Sequence, residues 1–264
     1  MLEVLRKHGV PQVYGFVNAG QLDDDPTSMS ILQEWLQQGY PLGNHTYSHM
    51  DLNEVTAQQY IADIDKNDEI LQRIAGEYNY KYFRYPYLRE GNTWSKHNKI
   101  KAHLRQTGYK IAPVSVEFFD WAWVDTYARC ASRYNPEAIK RLEEKYVSYA
   151  VRQLKSANSM AQRLFKRPIK HILLLHIGEF SALMLDRVLL AYEAAGVHYI
   201  SLDDAVKDPV YKKEPRILCA EGGTFLGQKM EERRINVSAA EAEPPPYLSL
   251  LCHYPLPAQP LCRE

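Results

Sequence analysis

No run of apolar residues in this 264-residue chain approaches the roughly 18 needed to cross a bilayer, which excludes a membrane-spanning helix. Neither charge is in surplus. Lys+Arg and Asp+Glu both total 32, so the formal net charge is zero and electrostatic capture of nucleic acid or of an anionic membrane is excluded. Cysteine is scarce. Cys130, Cys219, Cys252 and Cys262 show no CxxC spacing, and four thiols in a chain this long do not make a disulfide framework, so all four are expected to be unpaired. Residues 1–9 lack the basic start, apolar centre and cleavage site of a signal peptide. They read instead as the second half of an amphipathic helix stopped by Gly9. A chain that opens inside a helix is expected to have lost what came before it.

What is present is the composition of a soluble globular protein, 45% apolar and 24% charged, with room for one large α/β domain or two small ones. Tyrosine is abundant at 19 residues; it stacks on sugar rings and packs equally well at core edges. Strands are expected at Val13–Val17, at 41–45, from Lys81, over Tyr109–Phe118, over His171–His176 and over Val197–Leu202. Between them lie helical patterns over 27–39, 56–76, 95–107, 136–164 and 181–195, several stopped by glycine. The all-apolar centre of 171–176 suits a parallel strand covered on both faces. This alternation predicts parallel βα units with about six strands, one or two short of a closed barrel. It stops near residue 207. Residues 207–237 read as a meandering extension, and 238–264, rich in Ala, Glu and Pro, as a disordered tail.

Four polar residues fall at the C-terminal ends of strands, where parallel α/β folds build their sites: His45, Arg84, Asp120 and His176. His45-Thr46-Tyr47-Ser48-His49 carries two imidazoles four residues apart; on a helical turn both would reach one metal ion. Phe83-Arg84-Tyr85-Pro86-Tyr87 offers an Arg for bidentate carboxylate binding and a loop stiffened by proline. Glu117-Phe118-Phe119-Asp120-Trp121 sets an acid beside an aromatic wall at a strand end, and Leu174-Leu175-His176 ends an apolar strand in a histidine.

In this order the four elements resemble motifs two to five of the NodB-homology polysaccharide deacetylases, the family 4 carbohydrate esterases, over Leu2 to Asp204. The resemblance implies an incomplete (β/α) barrel lacking its first strand, spanning residues 1–206. It implies hydrolysis of an acetyl group on an acetylated polysaccharide or oligosaccharide, assisted by a divalent metal, zinc by preference, held by His45 and His49. Arg84 would hold the catalytic-base aspartate, and the backbone N–H of Tyr87 would meet the oxyanion. His176, paired with Asp120, would protonate the leaving amine, and Trp121 and Leu174 would wall the acetyl pocket. The family's first motif, a pair of aspartates supplying the base and the third metal ligand, has no counterpart here, so impaired activity is expected. Asp23, Asp24 and Asp25 read as a solvated turn rather than as replacements. Glu117 stands where the family has Asp. Two other readings remain: a hydrolase of small C–N bonds on the same scaffold, and a non-catalytic carbohydrate binder. Location is left open, envelope or secreted if an export signal precedes the chain and cytoplasmic otherwise.

Overall fold

A computed structural model describes residues 1–22, 26–76, 80–237 and 243–252. Its centre is a four-stranded, all-parallel sheet in the order of the sequence: β1 (Gly15–Val17), β2 (Leu42–Asn44), β3 (Tyr82–Phe83) and β4 (Lys110–Ile111). Gly15 lies opposite Leu42 and Val17 opposite Asn44, while Phe83 lies opposite both Asn44 and Ile111. Helix α1 (Leu2–Lys7) precedes β1, and the strands are joined through α2 (Pro26–Gln37), α3 (Ala57–Ala75) and α4 (Trp94–Gln106). Helix α3 starts where expected. The Thr56 side chain accepts from the Gln59 amide while Gln59 reaches back to the Thr56 amide, so two orphan donors are satisfied at once.

The second half is helical: α5 (Val124–Ser132), α6 (Pro136–Phe165), α7 (Glu179–Ala194), α8 (Leu202–Ala205) and α9 (Phe225–Glu232). Two hydrophobic cores result. One lies under the sheet, with Trp35, Leu42, Tyr60, Ile64, Phe83 and Ile100; the other lies among α5, α6, α7 and α9, with Phe118, Trp123, Tyr146 and Phe180. Helix α7 serves both: Met184, Val188 and Tyr192 enter the second core, and Leu185 and Leu189 the first.

The mixed α/β fold and its unclosed parallel sheet agree with the sequence pattern, but the later strands do not form as expected. Tyr109–Phe118 contributes only β4, because Pro113 has no N–H to give a ladder. Residues 171–176 are extended and joined to the sheet side by a single parallel bridge, Val116 to Leu173. There the Ser115 hydroxyl accepts from the Ile172 amide at 2.8 Å, replacing a backbone acceptor. Of the apolar run only Ile172 is buried, so this segment is not covered on both faces. Residues 197–200 carry no strand assignment, having no ladder partner among the described residues.

Cysteine departs furthest from expectation. Cys130 of α5 and Cys252 form a disulfide across 122 residues, which tertiary packing rather than sequence spacing brings together. Cys219 is free, and Cys262 lies outside the described residues. Residues 243–252, within the segment expected to be disordered, form a 3₁₀ turn at Pro246–Ser249 whose Leu248 enters the second core; the Leu248 carbonyl accepts from Thr126 and Arg129. Replacing both Cys130 and Cys252 by Ala should cost about 2–5 kcal/mol, because the unfolded chain regains the freedom of a long loop. Urea titration of the oxidised protein against the double variant checks this.

A second prediction concerns α1. His8 is held between Asp186 of α7 at 2.9 Å and Glu193 at 2.7 Å, and chiefly the hydrogen bond to Asp186 raises its pKa, against an opposing effect of burial. A raised folded value means the native state binds the proton more tightly. The stabilisation is therefore fully present below the unfolded value near 6.5 and is lost as pH rises through the folded value. The Tm advantage of the native chain over His8→Gln should be clear at pH 6 and shrink towards pH 9.

Candidate active site

The site is built from the ends of β2 and β3 and from the bridged segments beyond β4. Asn44 closes β2 as a fully buried amide. Its Nδ2 donates to the Ile64 carbonyl and the Tyr109 hydroxyl, and its Oδ1 accepts from the Thr46 amide and from Asn67. Asn67 in turn accepts from the Ala19 amide and donates to the Val17 carbonyl, so β1, β2 and α3 are cross-braced beneath the loop that follows.

That loop holds His45 and His49, and it is not helical. Thr46 and His49 have φ of 63° and 57°, a left-handed conformation costing about 1–3 kcal/mol at a non-glycine residue. Asp63 opposes that cost by accepting from the Ser48 amide at 3.0 Å and from its hydroxyl at 3.1 Å, and the Asp63 carbonyl accepts from the Tyr47 amide. Asn18 donates to the His45 and Thr46 carbonyls. The two imidazoles meet edge to face, 4.9 Å between centroids. A turn of helix is thus not what brings them together; a strained loop tied down from three sides is.

His45 Nδ1 lies 2.7 Å from the Arg84 carbonyl. A carbonyl only accepts, so Nδ1 carries the proton and Nε2 is left as a free lone pair, the tautomer of a metal-ligating histidine. Burial, reinforced by the charges of His49, Arg84 and His176 and only partly offset by that hydrogen bond, lowers the His45 pKa to about 3. Burial and then His176 lower that of His49. Both rings are therefore neutral donors, and the pair fits two ligand positions of a divalent ion. Among the described residues, however, no group of three or more His, Cys, Asp or Glu is arranged around a common point, and Asp23, Asp24 and Asp25 lie outside those residues.

Arg84, after β3, is only 6% exposed and stacks on Phe16 at 4.2 Å. Its Nε has no hydrogen-bond partner among the described residues. Burial lowers its pKa to about 9, against the opposing pull of Glu117. Glu117 lies in the same cavity wall; burial raises its pKa, and His176 works in the opposite direction. The sequence reading placed Glu117 in the motif that ends at Trp121 and noted it as a replaced Asp, but assigned it no role. Tyr87 sits in the turn Pro86–Leu88 with φ of 57°, followed by Leu88 at 54°. Its half-exposed ring lies 4.6 Å from that of His49.

His176 lines the same cavity. Its Nδ1 is 2.8 Å from Asp120 Oδ1, and its backbone N–H donates to Oδ2 at 2.7 Å. Asp120 is completely buried and also accepts from Ser181 at the start of α7. The carboxylate thus fixes the ring and keeps the proton on Nδ1, leaving Nε2 as the free nitrogen. His45, His49, Arg84, Tyr87, Trp121, Leu174 and His176 all line one cavity of about 1120 Å³, with Asp120 behind His176. All eight residues singled out in the sequence therefore converge. What sequence reasoning missed is the part of the lining supplied by the extension, Cys219, residues 221–224 and residues 234–237, which carries no motif.

Residues 1–112 match the family model described as polysaccharide deacetylase. A chitin deacetylase of Arthroderma benhamiae is 29% identical over 130 residues, which cover 45% of this chain and 35% of that protein. A peptidoglycan-N-acetylglucosamine deacetylase of Bacillus cereus is 33% identical over 124 residues, covering 47% of this chain and 41% of that protein. The chain thus spans less than half the length of either relative. In fold it is similar to a CE4 family pseudoenzyme from Bacillus anthracis, with a TM-score of 0.55 at 13% identity, covering 78% of this chain and 59% of that one.

Proposed function

We propose that this chain, whose residues 1–112 match the polysaccharide deacetylase family model, hydrolyses the acetamido group of an acetylated glycan, with low turnover. The observation that carries the reading is that one cavity is lined by His45, held in the ligating tautomer, by His49 beside it, and by a third imidazole fixed by a buried carboxylate. His45 and His49 would hold a divalent ion such as zinc. When bound, that ion polarises the acetyl carbonyl and lowers the pKa of water.

The remaining work falls to the chain's own residues. Trp121 and Leu174 wall the acetyl methyl, and the Tyr87 N–H donates to the oxygen as it becomes an oxyanion. As the C–N bond breaks, His176 delivers a proton to the leaving amine, with Asp120 stabilising the imidazolium. The buried Arg84 guanidinium would orient a carboxylate base for the attacking water, the one role to which no described residue is assigned. No described carboxylate bonds to its Nε or joins His45 and His49, which is why turnover is expected to be low. The cavity volume suits a sugar chain better than a small amide.

The lack of a third ligand among the described residues favours a second reading, a non-catalytic glycan binder. Zinc content and acetate release from an acetylated chitooligosaccharide separate the two. Bound zinc and acetate release, both lost in His45→Ala, support the deacetylase. Oligosaccharide binding with neither zinc nor acetate supports the binder.

A further inference from the structure

We infer that the loop Cys219–Gly223 of the C-terminal extension is a brace for the oxyanion turn, and that Gly222 is a positioning residue acting through Tyr87. The inference rests on the reading of the Tyr87 N–H as the oxyanion donor. Tyr87 and Leu88 are two consecutive non-glycine residues in left-handed conformations, and such a pair persists only where its surroundings hold it. Gly222, itself at φ 78°, packs flat on that turn: a Cβ at this position would lie 2.3 Å from the Tyr87 carbonyl oxygen and 3.3 Å from the Leu88 carbonyl carbon. Only a residue without a side chain allows this approach.

The brace is anchored on both sides. Asn53 donates to the Ala220 carbonyl at 2.6 Å, and Arg89, one residue past the strained pair, bridges Asp51 and Glu221. Inside the loop, the Cys219 thiol and the Gly222 amide close a tight turn, the thiol donating to the Gly222 carbonyl and the amide to the Cys219 carbonyl. A segment with no recognisable motif therefore sets where the Tyr87 peptide sits relative to His49.

The test uses Gly222→Ala, which drives the brace into the turn, and Asn53→Ala, which loosens it without a clash. Gly39→Ala serves as control, since Gly39 has a comparable φ of 82° with nothing within 4 Å of an added Cβ. Amide hydrogen exchange at Leu88 and Arg89, whose N–H groups close the turn onto the Tyr85 and Pro86 carbonyls, is read first. Both test variants should speed it about tenfold or more while amides of α3 and the control keep their native rates. Acetate release is read second: kcat should fall about ten- to a hundredfold with KM within about twofold, the pattern of a misplaced transition-state donor. Unchanged exchange at Leu88 and Arg89 in Asn53→Ala together with folded Gly222→Ala overturns the brace, and if Gly222→Ala does not fold, unchanged exchange in Asn53→Ala alone does so. If the native chain releases no acetate, the deacetylase reading fails and the exchange rates still decide the brace.

Discussion

Replacing His176 by Ala should lower acetate release by a factor of about 10²–10⁴, the usual contribution of a positioned general acid. The fold should survive. The ring is 44% exposed, and Asp120 keeps its bonds to the His176 amide and to Ser181. A single-turnover assay at fixed zinc, with thermal unfolding measured in parallel, separates lost chemistry from lost structure. The isosteric Asp120→Asn should lose most of the same factor, because an amide facing Nδ1 no longer selects the protonated form of that nitrogen. A native rate in either variant would move the acid role elsewhere in the cavity, with Glu117 as the first residue to examine.

The second large effect belongs to Asn44. Leucine there is close in size but leaves the Thr46 amide, the Asn67 amide and the Ile64 carbonyl buried without their partner. With about 1–3 kcal/mol for each stranded group, and incomplete additivity, the expected loss is about 3–4 kcal/mol. The urea midpoint should fall at unchanged slope. Zinc affinity should fall with it, since the Thr46 amide bond holds the loop that sets His45 against Arg84. Affinity that remains native in a destabilised protein would show that the loop is fixed by Asp63 and Asn18 alone.

Much of this architecture is legible in the sequence because its signals are local. The Thr56-to-Gln59 capping box and the glycines at 9, 39, 76 and 108 each act within a few residues and mark helix ends correctly. The placement of the eight candidate residues is legible for a related reason: they sit near the ends of chain segments that a parallel α/β pattern places on one side. Where long-range pairing decides, the sequence misleads. Residues 171–176 are as apolar as a central strand but gain only one bridge, since Ser115 and Pro113 deny them a regular neighbour. The spacing of His45 and His49 fits a helical turn, yet Asn44, Asp63 and Asn18 bend the segment otherwise, and none of those contacts is visible in the five residues between and including the histidines. The Cys130–Cys252 bond and the extension's share of the cavity depend wholly on tertiary assembly.

Helix α7 carries one more consequence, for how this protein can be divided. Leu185 and Leu189 are at most 3% exposed, and what covers them is the core under the sheet, formed by segments more than 75 residues earlier. The helix's first turn also supplies Ser181 to Asp120. A fragment ending after β4 would therefore expose a patch of its own interior, and a fragment beginning at α5 would carry two leucines with nothing to bury them. The chain has no modular seam at the end of its sheet. The smallest piece able to stand alone reaches at least through Ala194, and any fusion, domain swap or truncation must keep α7 with the strands it never pairs with.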